Sequence, residues 1–296
     1  MDMLSYCCKK NKNLGGKKMF KKAGLISLIL LMSISLLVIG CGENQNAQEE
    51  GLSGNLVLAG STSVQPLAEE LAMRFMELNR NVKIDVAGGG SGAGVESSAN
   101  GAADIGMASR EVKDEELAAH PDLKPIVIAQ DGIIVIVNQA NPVNELTLVQ
   151  IKGIFTGEIT NWQDVGGKNA AITVINREEG SGTRTAFNEI VLHGESFTDK
   201  AAIQNSTGAV KTAVNADENA IGYISMGSMS DQVKGLKVNG VEPTIDNAKN
   251  GDYPIARPFI FITKGEPDGL TKAFIDWVMS GEAQEIIQEE GFIPVQ

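Results

Sequence analysis

The amino-acid sequence predicts an α/β protein. From Leu52 onward, short β-branched or apolar runs alternate with helix-period segments, the turns from strand to helix are rich in Gly, Ser and Thr, and two longer apolar runs divide the pattern. Residues 56–58 read as the first strand, and the segment after Pro66 places Leu67, Leu71, Phe75 and Leu78 on one helical face. Residues 82–86 form the next strand, followed by a Gly-rich turn and a short polar helix to about Asn100. Residues 105–108 are strand again, and an acidic helix over 111–119 stops at His120-Pro121, because a residue before proline avoids helical backbone. The apolar run 126–137 is broken by Gln130, Asp131 and Gly132, as expected of a strand that passes from one lobe into another.

The middle section repeats the α/β pattern. Residues 148–155 read as a helix, 157–167 as a turn-rich loop around Trp162, and 172–175 as a strand. Helices over 183–192 and 209–215 and strands over 220–224 and 236–238 follow, then a second crossing run over 253–262 and closing helices over 269–279 and 283–290. Two crossings imply two lobes: residues 52–130 with 257–296 form lobe 1, and 131–256 form lobe 2.

Residues 1–40 read as a signal peptide, with translation expected to start at Met19. Lys17, Lys18, Lys21 and Lys22 precede an apolar run that ends at Val38-Ile39-Gly40-Cys41. A small residue before such a cysteine resembles the lipobox of bacterial lipoproteins, which implies cleavage before Cys41 and a lipid on its sulfur; an uncleaved membrane anchor is the alternative that length leaves open. Residues 41–51 have the Gly, Asn, Gln and Glu composition of a flexible tether. Cys7 and Cys8 lie in the leader, so the mature chain has no cysteine for a disulfide, a thiolate nucleophile or a zinc site. Cleavage removes seven lysines and one aspartate, taking the net charge from −12 to −18. So acidic a body argues against nucleic acid and against an electrostatic hold on an anionic membrane.

Three turns share one chemistry. Gly60-Ser61-Thr62-Ser63 follows the first strand, Gly88-Gly89-Gly90-Ser91-Gly92-Ala93-Gly94 the second, and Arg177-Glu178-Glu179-Gly180-Ser181-Gly182-Thr183 a later one. Each joins a strand to a helix, so glycines admit close backbone approach while hydroxyls and free helical N–H groups converge. In α/β sheets ligands collect beyond the carboxyl ends of strands, and Arg177 adds a planar cation that fits an oxyanion edge. Any one turn reads equally well as a helix cap. Together they point to an anion site.

Other chemistries fit less well. A Walker loop needs a lysine after its glycines, and none of the three turns has one. Residues 88–93 match only a loose dinucleotide pattern. A nucleophile elbow fails at Ala93 around Ser91 and at both glycine positions around Ser181. His120 and His193 lack the neighbours of a triad or a metal site, and no cofactor is expected. Asp104, in Gly101-Ala102-Ala103-Asp104-Ile105-Gly106, lies near the Gly-rich turn in sequence. A carboxylate beside an anion makes sense if that anion carries a proton, as monohydrogen phosphate does and sulfate does not; from spacing alone a turn cap is its other role.

These residues resemble the substrate-binding lipoproteins of bacterial high-affinity phosphate ABC importers. The resemblance covers the mature chain, from the first turn to Gly291-Phe292-Ile293-Pro294, with Ile154-Phe155-Thr156-Gly157-Glu158-Ile159-Thr160-Asn161-Trp162 and the Arg177 to Thr183 segment as its specific signatures. It implies a type II periplasmic-binding-protein fold, two α/β lobes joined by two crossing strands with the ligand cleft between them, and no enzyme activity. It places phosphate ligands on Thr62, Ser63, Ser91, Arg177, Ser181, Gly182 and Thr183, with Asp104 as the proton acceptor. Ser63 stands where some members have Phe, and Glu179 where the family often has an aspartate that orients the arginine. Arg110 lies in a segment that varies and is left out of the site. The implied partners are inorganic phosphate, the permease subunits and the membrane through the lipid on Cys41, for a monomer on the outer face of the cell membrane. A receptor for sulfate, molybdate or tungstate is the alternative within the same shape, and a secreted phosphate-ester hydrolase is the alternative from another class.

Overall fold

A computed structural model describes residues 51–295. The signal peptide, Met19 and Cys41 lie outside the described residues.

The first α/β unit runs β1 (Ser53–Gly60), α1 (Gln65–Leu78), β2 (Asn81–Gly88), α2 (Ser91–Asn100), β3 (Ile105–Ala108) and α3 (Asp114–Ala119). Its three strands are parallel in the order β2-β1-β3, so all three carboxyl ends, and the turns that follow them, lie on one side. Helix α1 buries Leu67, Ala68, Leu71, Ala72 and Phe75, one stripe at helical spacing. Leu78, expected on that stripe, is the last residue of the helix and is 58% exposed instead. Helix α3 starts three residues later than expected, since the Glu116 carboxylate accepts the Lys113 N–H and sets the helix entry there.

β4 (Leu123–Asn138) is one continuous strand of 16 residues through the polar interruption. The second unit follows: β5 (Glu145–Leu146), α4 (Leu148–Thr156), a 3-10 turn at Trp162–Val165, β6 (Thr173–Arg177), α5 (Gly182–Phe187), β7 (Ala202–Gln204), α6 (Thr207–Ala216), β8 (Ala220–Ser225), β9 (Val233–Gly235), β10 (Lys237–Val238) and α7 (Ile245–Lys249). The helix expected over 183–192 is divided, with a π-turn at Asn188–Leu192 closed by His193 in the left-handed conformation. β11 (Ala256–Lys264) then returns, followed by α8 (Gly269–Val278), α9 (Gly281–Glu289) and β12 (Ile293–Pro294).

The large sheet has the order β2-β1-β3-β11-β4-β8-β6-β7, with β11 antiparallel to β3 and β4, and β4 antiparallel to β8. β4 thus spans both halves: its first part pairs with β11 and its second with β8. The apolar side chains form separate cores on either side of Gln130–Gly132. One gathers Leu58, Leu71, Phe75, Phe259, Phe261, Phe274 and Ile287, and the other Ile134, Ile136, Phe155, Trp162, Phe187, Ile221 and Tyr223. Phe187 stacks on Tyr223 with ring centroids 4.2 Å apart, and burial of each such ring contributes roughly 2–3 kcal/mol. No helix among the described residues is long and apolar enough to cross a membrane.

Candidate functional site

The first half supplies a knot of hydroxyls at its strand ends. β1 finishes at Gly60 with φ 143°, where a Cβ would stand 2.2 Å from the Met107 carbonyl oxygen, so the chain can turn there only as glycine. The Ser61 hydroxyl accepts from the Ser63 and Val64 N–H groups and donates to the Ser109 hydroxyl at 2.9 Å. Ser91 opens α2 and accepts the Ser109 N–H at 3.0 Å. Gly90, at φ 92°, ties the second turn to the first by donating to the Gly60 carbonyl. Ser109, one residue beyond β3, therefore holds both turns.

The second half faces this knot with Arg177, the last residue of β6, and with the turn into α5. Ser181 caps α5 by accepting the Arg184 N–H, and Gly182 packs directly on Ser91 and Ser109. The Arg177 side chain is 2% exposed. Its Nε and Nη2 donate to the two oxygens of Glu178, each at 2.8 Å, in a fork-to-fork pair. Its Nη2 also reaches the Thr62 hydroxyl at 3.2 Å and its Nη1 the Thr207 hydroxyl at 3.3 Å. Below it, Asn176 Oδ1 accepts both the Arg177 N–H and the Tyr223 phenol. Burial pushes the Tyr223 phenol well up, so it stays a neutral donor.

Contacts cross between the halves. Ser63 Oγ lies 2.8 Å from both Thr183 Oγ1 and Thr207 Oγ1, the Thr207 N–H donates to Thr62 Oγ1 at 3.3 Å, and the Gly92 N–H donates to the Gly180 carbonyl at 3.1 Å. Thr62 Oγ1 receives two donors, so its own proton is left to point at a ligand. The Ser63 hydroxyl, between two others, can turn either a proton or a lone pair outward. Arg177 and Glu178 cancel in charge, so the spot presents oriented O–H and N–H groups around one arginine rather than net positive charge.

The structure brings together Thr62, Ser63, Ser91, Arg177, Ser181, Gly182 and Thr183. It does not bring Asp104 to them. Asp104 precedes β3 at the amino end of the parallel strands, where its carboxylate accepts the Val57 N–H at 2.8 Å and stands exposed. The four residues of β3 lie between it and Ser109, five rises and a span of about 16 Å at strand rise. Closeness in sequence misleads here because β3 carries the chain from Asp104, beside the middle of β1, to Ser109 beyond the strand's carboxyl end. Glu179 is likewise corrected. Its side chain is 92% exposed and 3.9 Å from Arg184, while its neighbour Glu178 grips Arg177. Arg110 is buried with its fork on Glu116 at 2.7 and 2.8 Å, a local tie between β3 and α3.

Four residues at the site were not anticipated: Ser61, Ser109, Thr207 and Glu178. Ser109 carries the same signal as the other turns, a hydroxyl one residue beyond a strand. Thr207 lies in Asn205-Ser206-Thr207-Gly208, a further strand-to-helix turn, but the strand before it is only Ala202–Gln204, partly exposed and without apolar alternation.

Comparisons with known proteins identify the family of the chain. A family model described as PBP superfamily domain matches residues 45–282. The phosphate-binding protein PstS of Bacillus subtilis is 33% identical over 286 residues, covering 93% of this chain and 95% of that protein. PstS of Borreliella burgdorferi is 30% identical, covering 92% of this chain and 99% of that protein. A crystal structure of a Clostridium perfringens substrate-binding protein with bound phosphate superposes with a TM-score of 0.79 at 44% identity, covering 82% of this chain and 100% of that one. An ABC-type phosphate transport receptor from Vibrio cholerae gives a TM-score of 0.67 at 37% identity, over 80% of this chain and 99% of that one. The chain belongs to the PBP superfamily and, within it, to the phosphate-binding substrate-binding proteins of phosphate ABC transporters.

Proposed function

We propose that this chain captures inorganic phosphate outside the cytoplasm and delivers it to an ABC permease for import, without chemical change to the anion. The observation that carries the reading is the convergence of Thr62, Ser63 and Ser91 from one half with Arg177, Thr183 and Thr207 from the other on one buried spot. The close relationship to phosphate-binding proteins supports phosphate as the anion.

In this mechanism the halves hinge about β4 and β11. An open form exposes the Ser61 to Ser63 turn and Ser91, phosphate settles on their hydroxyls, and closure brings Arg177 and the Gly180 to Thr183 turn over it. Water is excluded and replaced by charge-assisted hydrogen bonds. Lobe 1 comprises residues 52–130 with 257–296, and lobe 2 residues 131–256. The acidic body does not prevent capture, since distant charges are screened over roughly 8 Å at physiological salt while the cradle acts at contact. Hydroxyls donate to bare phosphate oxygens and accept from a P–OH, so no free carboxylate is needed in the cradle. Residues 1–40 direct export, Cys41 carries a lipid, and residues 41–51 tether a monomer to the outer face of the membrane.

Isothermal titration of the mature chain tests the reading. Phosphate is expected to bind tightly at one site per chain and sulfate and molybdate far more weakly. Preference for another oxyanion, or turnover of a phosphate ester, would overturn it. Mass spectrometry of the membrane-extracted protein, with a lipidated Cys41 as its new N-terminus, tests the anchor.

A further inference from the structure

The polar interruption at Gln130, Asp131 and Gly132 does more than mark a crossing. Asp131 on β4 and Arg257 on β11 are direct cross-strand partners. They are 1% and 3% exposed, and Arg257 donates from Nε and Nη2 to Asp131 Oδ2 at 3.2 and 3.0 Å. The remaining capacity of the pair is directed to opposite halves of the molecule. Arg257 Nη1 donates to the Ser109 carbonyl at 3.1 Å, while Asp131 Oδ1 accepts the Ser225 hydroxyl at 2.9 Å and the Met226 N–H at 3.1 Å. Gly132 makes room for this, since a Cβ there would stand 2.4 Å from the Met226 methyl.

Stability does not explain a charge pair in this place. Burial pushes the Asp131 carboxyl up and the Arg257 guanidinium down, each opposed by the charge of the other. A buried pair of this kind is often no more stabilising than apolar side chains of similar volume. Position explains it better. Ser109 is the residue to which both first-half turns are tied, through its N–H to Ser91 and its hydroxyl to Ser61. Arg257 fixes the third polar group of that same residue. Asp131 fixes the end of β8, the neighbouring strand in the second half.

We propose that Asp131 and Arg257 are a positioning pair at the hinge, which sets Ser109, and with it the Ser61 and Ser91 turns, in register with the second half so that closure meets a formed cradle. This rests on the anion-binding reading above, and a readout without ligand keeps the two separable.

The test is the double variant Asp131→Leu, Arg257→Met in the mature chain, which replaces the pair by apolar side chains. It is expected to fold with a thermal midpoint equal to or above the parent. Phosphate affinity is expected to fall at least about tenfold, the size of one lost charge-assisted hydrogen bond. Amide exchange over residues 59–65 and 105–112 is expected to quicken in the ligand-free protein. If the double variant does not fold, Arg257→Lys, which keeps the charge and loses the fork, is expected to show the same loosening and weakening. Unchanged exchange over 105–112 in the folded variant overturns the proposal. Faster exchange with phosphate affinity within threefold of the parent also overturns it, because the cradle would then not depend on the pair. If the parent itself fails to bind phosphate, the functional reading falls, and exchange alone decides the positioning.

Discussion

Gly182→Ala isolates closure from folding. Gly182 opens α5 without left-handed backbone, so alanine is locally tolerated and, as the better helix former, costs the fold nothing. Its Cβ, however, would stand 2.2 Å from Ser91 Oγ, 2.8 Å from Ser109 Oγ and 2.9 Å from Ser91 Cβ, all in the opposite half. The Ser91 hydroxyl could rotate away, but its Cβ cannot. Ordinary contact begins at 3.4 Å, so the halves must part by between about 0.5 Å, set by that Cβ, and about 1.2 Å, if the hydroxyl stays. At the upper end the cross-half bonds, now 2.8–3.3 Å, open to about 4 Å and are lost. At a net 0.5–1.5 kcal/mol each, the four side-chain bonds make the closed state about 2–6 kcal/mol less favourable. Phosphate affinity should then fall by about 100- to 1,000-fold, near the middle of that range. Calorimetric titration with phosphate measures the loss, and thermal unfolding without ligand should give a midpoint within a few degrees of the parent. Binding within threefold of the parent by a folded Gly182→Ala protein would refute the contact across the cleft.

Further substitutions separate the residues that act from those that only lie nearby. Glu178→Gln breaks the fork on Arg177 and should weaken phosphate binding by about tenfold, whereas Glu179→Gln should change it less than twofold; titration of both variants decides between the two neighbours, and tighter binding by Glu178→Gln would mean that its charge outweighs its anchoring. Asp104→Asn should leave phosphate affinity unchanged, because the residue accepts the Val57 N–H at the amino end of β3, away from the turns; a tenfold loss by titration would return it to the site. Burial pushes the Glu116 carboxyl up, but the Arg110 fork and the Lys113 N–H outweigh this and hold it below the usual glutamate range. Its contribution to stability is therefore complete at neutral pH and disappears as pH falls through that lowered value. The gap between the thermal midpoints of parent and Glu116→Gln should be largest at neutral pH and narrow as pH falls below the usual glutamate range, and a gap that does not narrow in acid would contradict the assignment.

The elements most legible in the sequence were those with strong local signals. The apolar period of α1, the short apolar runs of β3 and β8, and the turns after β1, β2 and β6 all follow from side-chain spacing and from what glycine and hydroxyl residues permit. The short strand Ala202–Gln204 was not legible, since it is partly exposed and carries no alternation, and Thr207 went unrecognised with it. The crossing of β4 through its polar residues was legible, but its first residues, Leu123 to Pro125, and the partners of Asp131 were not, since those partners on β11 and β8 come from far along the chain.

Which residues can bind an oxyanion was written in the sequence, because hydroxyls, close-approach glycines and a guanidinium have that chemistry wherever they are placed. Which of them meet was decided only by the tertiary structure. A strand moves its two ends apart, so Asp104 and Ser109, five residues from each other, fall at opposite ends of β3. Sheet pairing does the reverse for Thr62, which the chain separates by more than a hundred residues from Arg177 and Thr207 and the fold joins to both by hydrogen bonds.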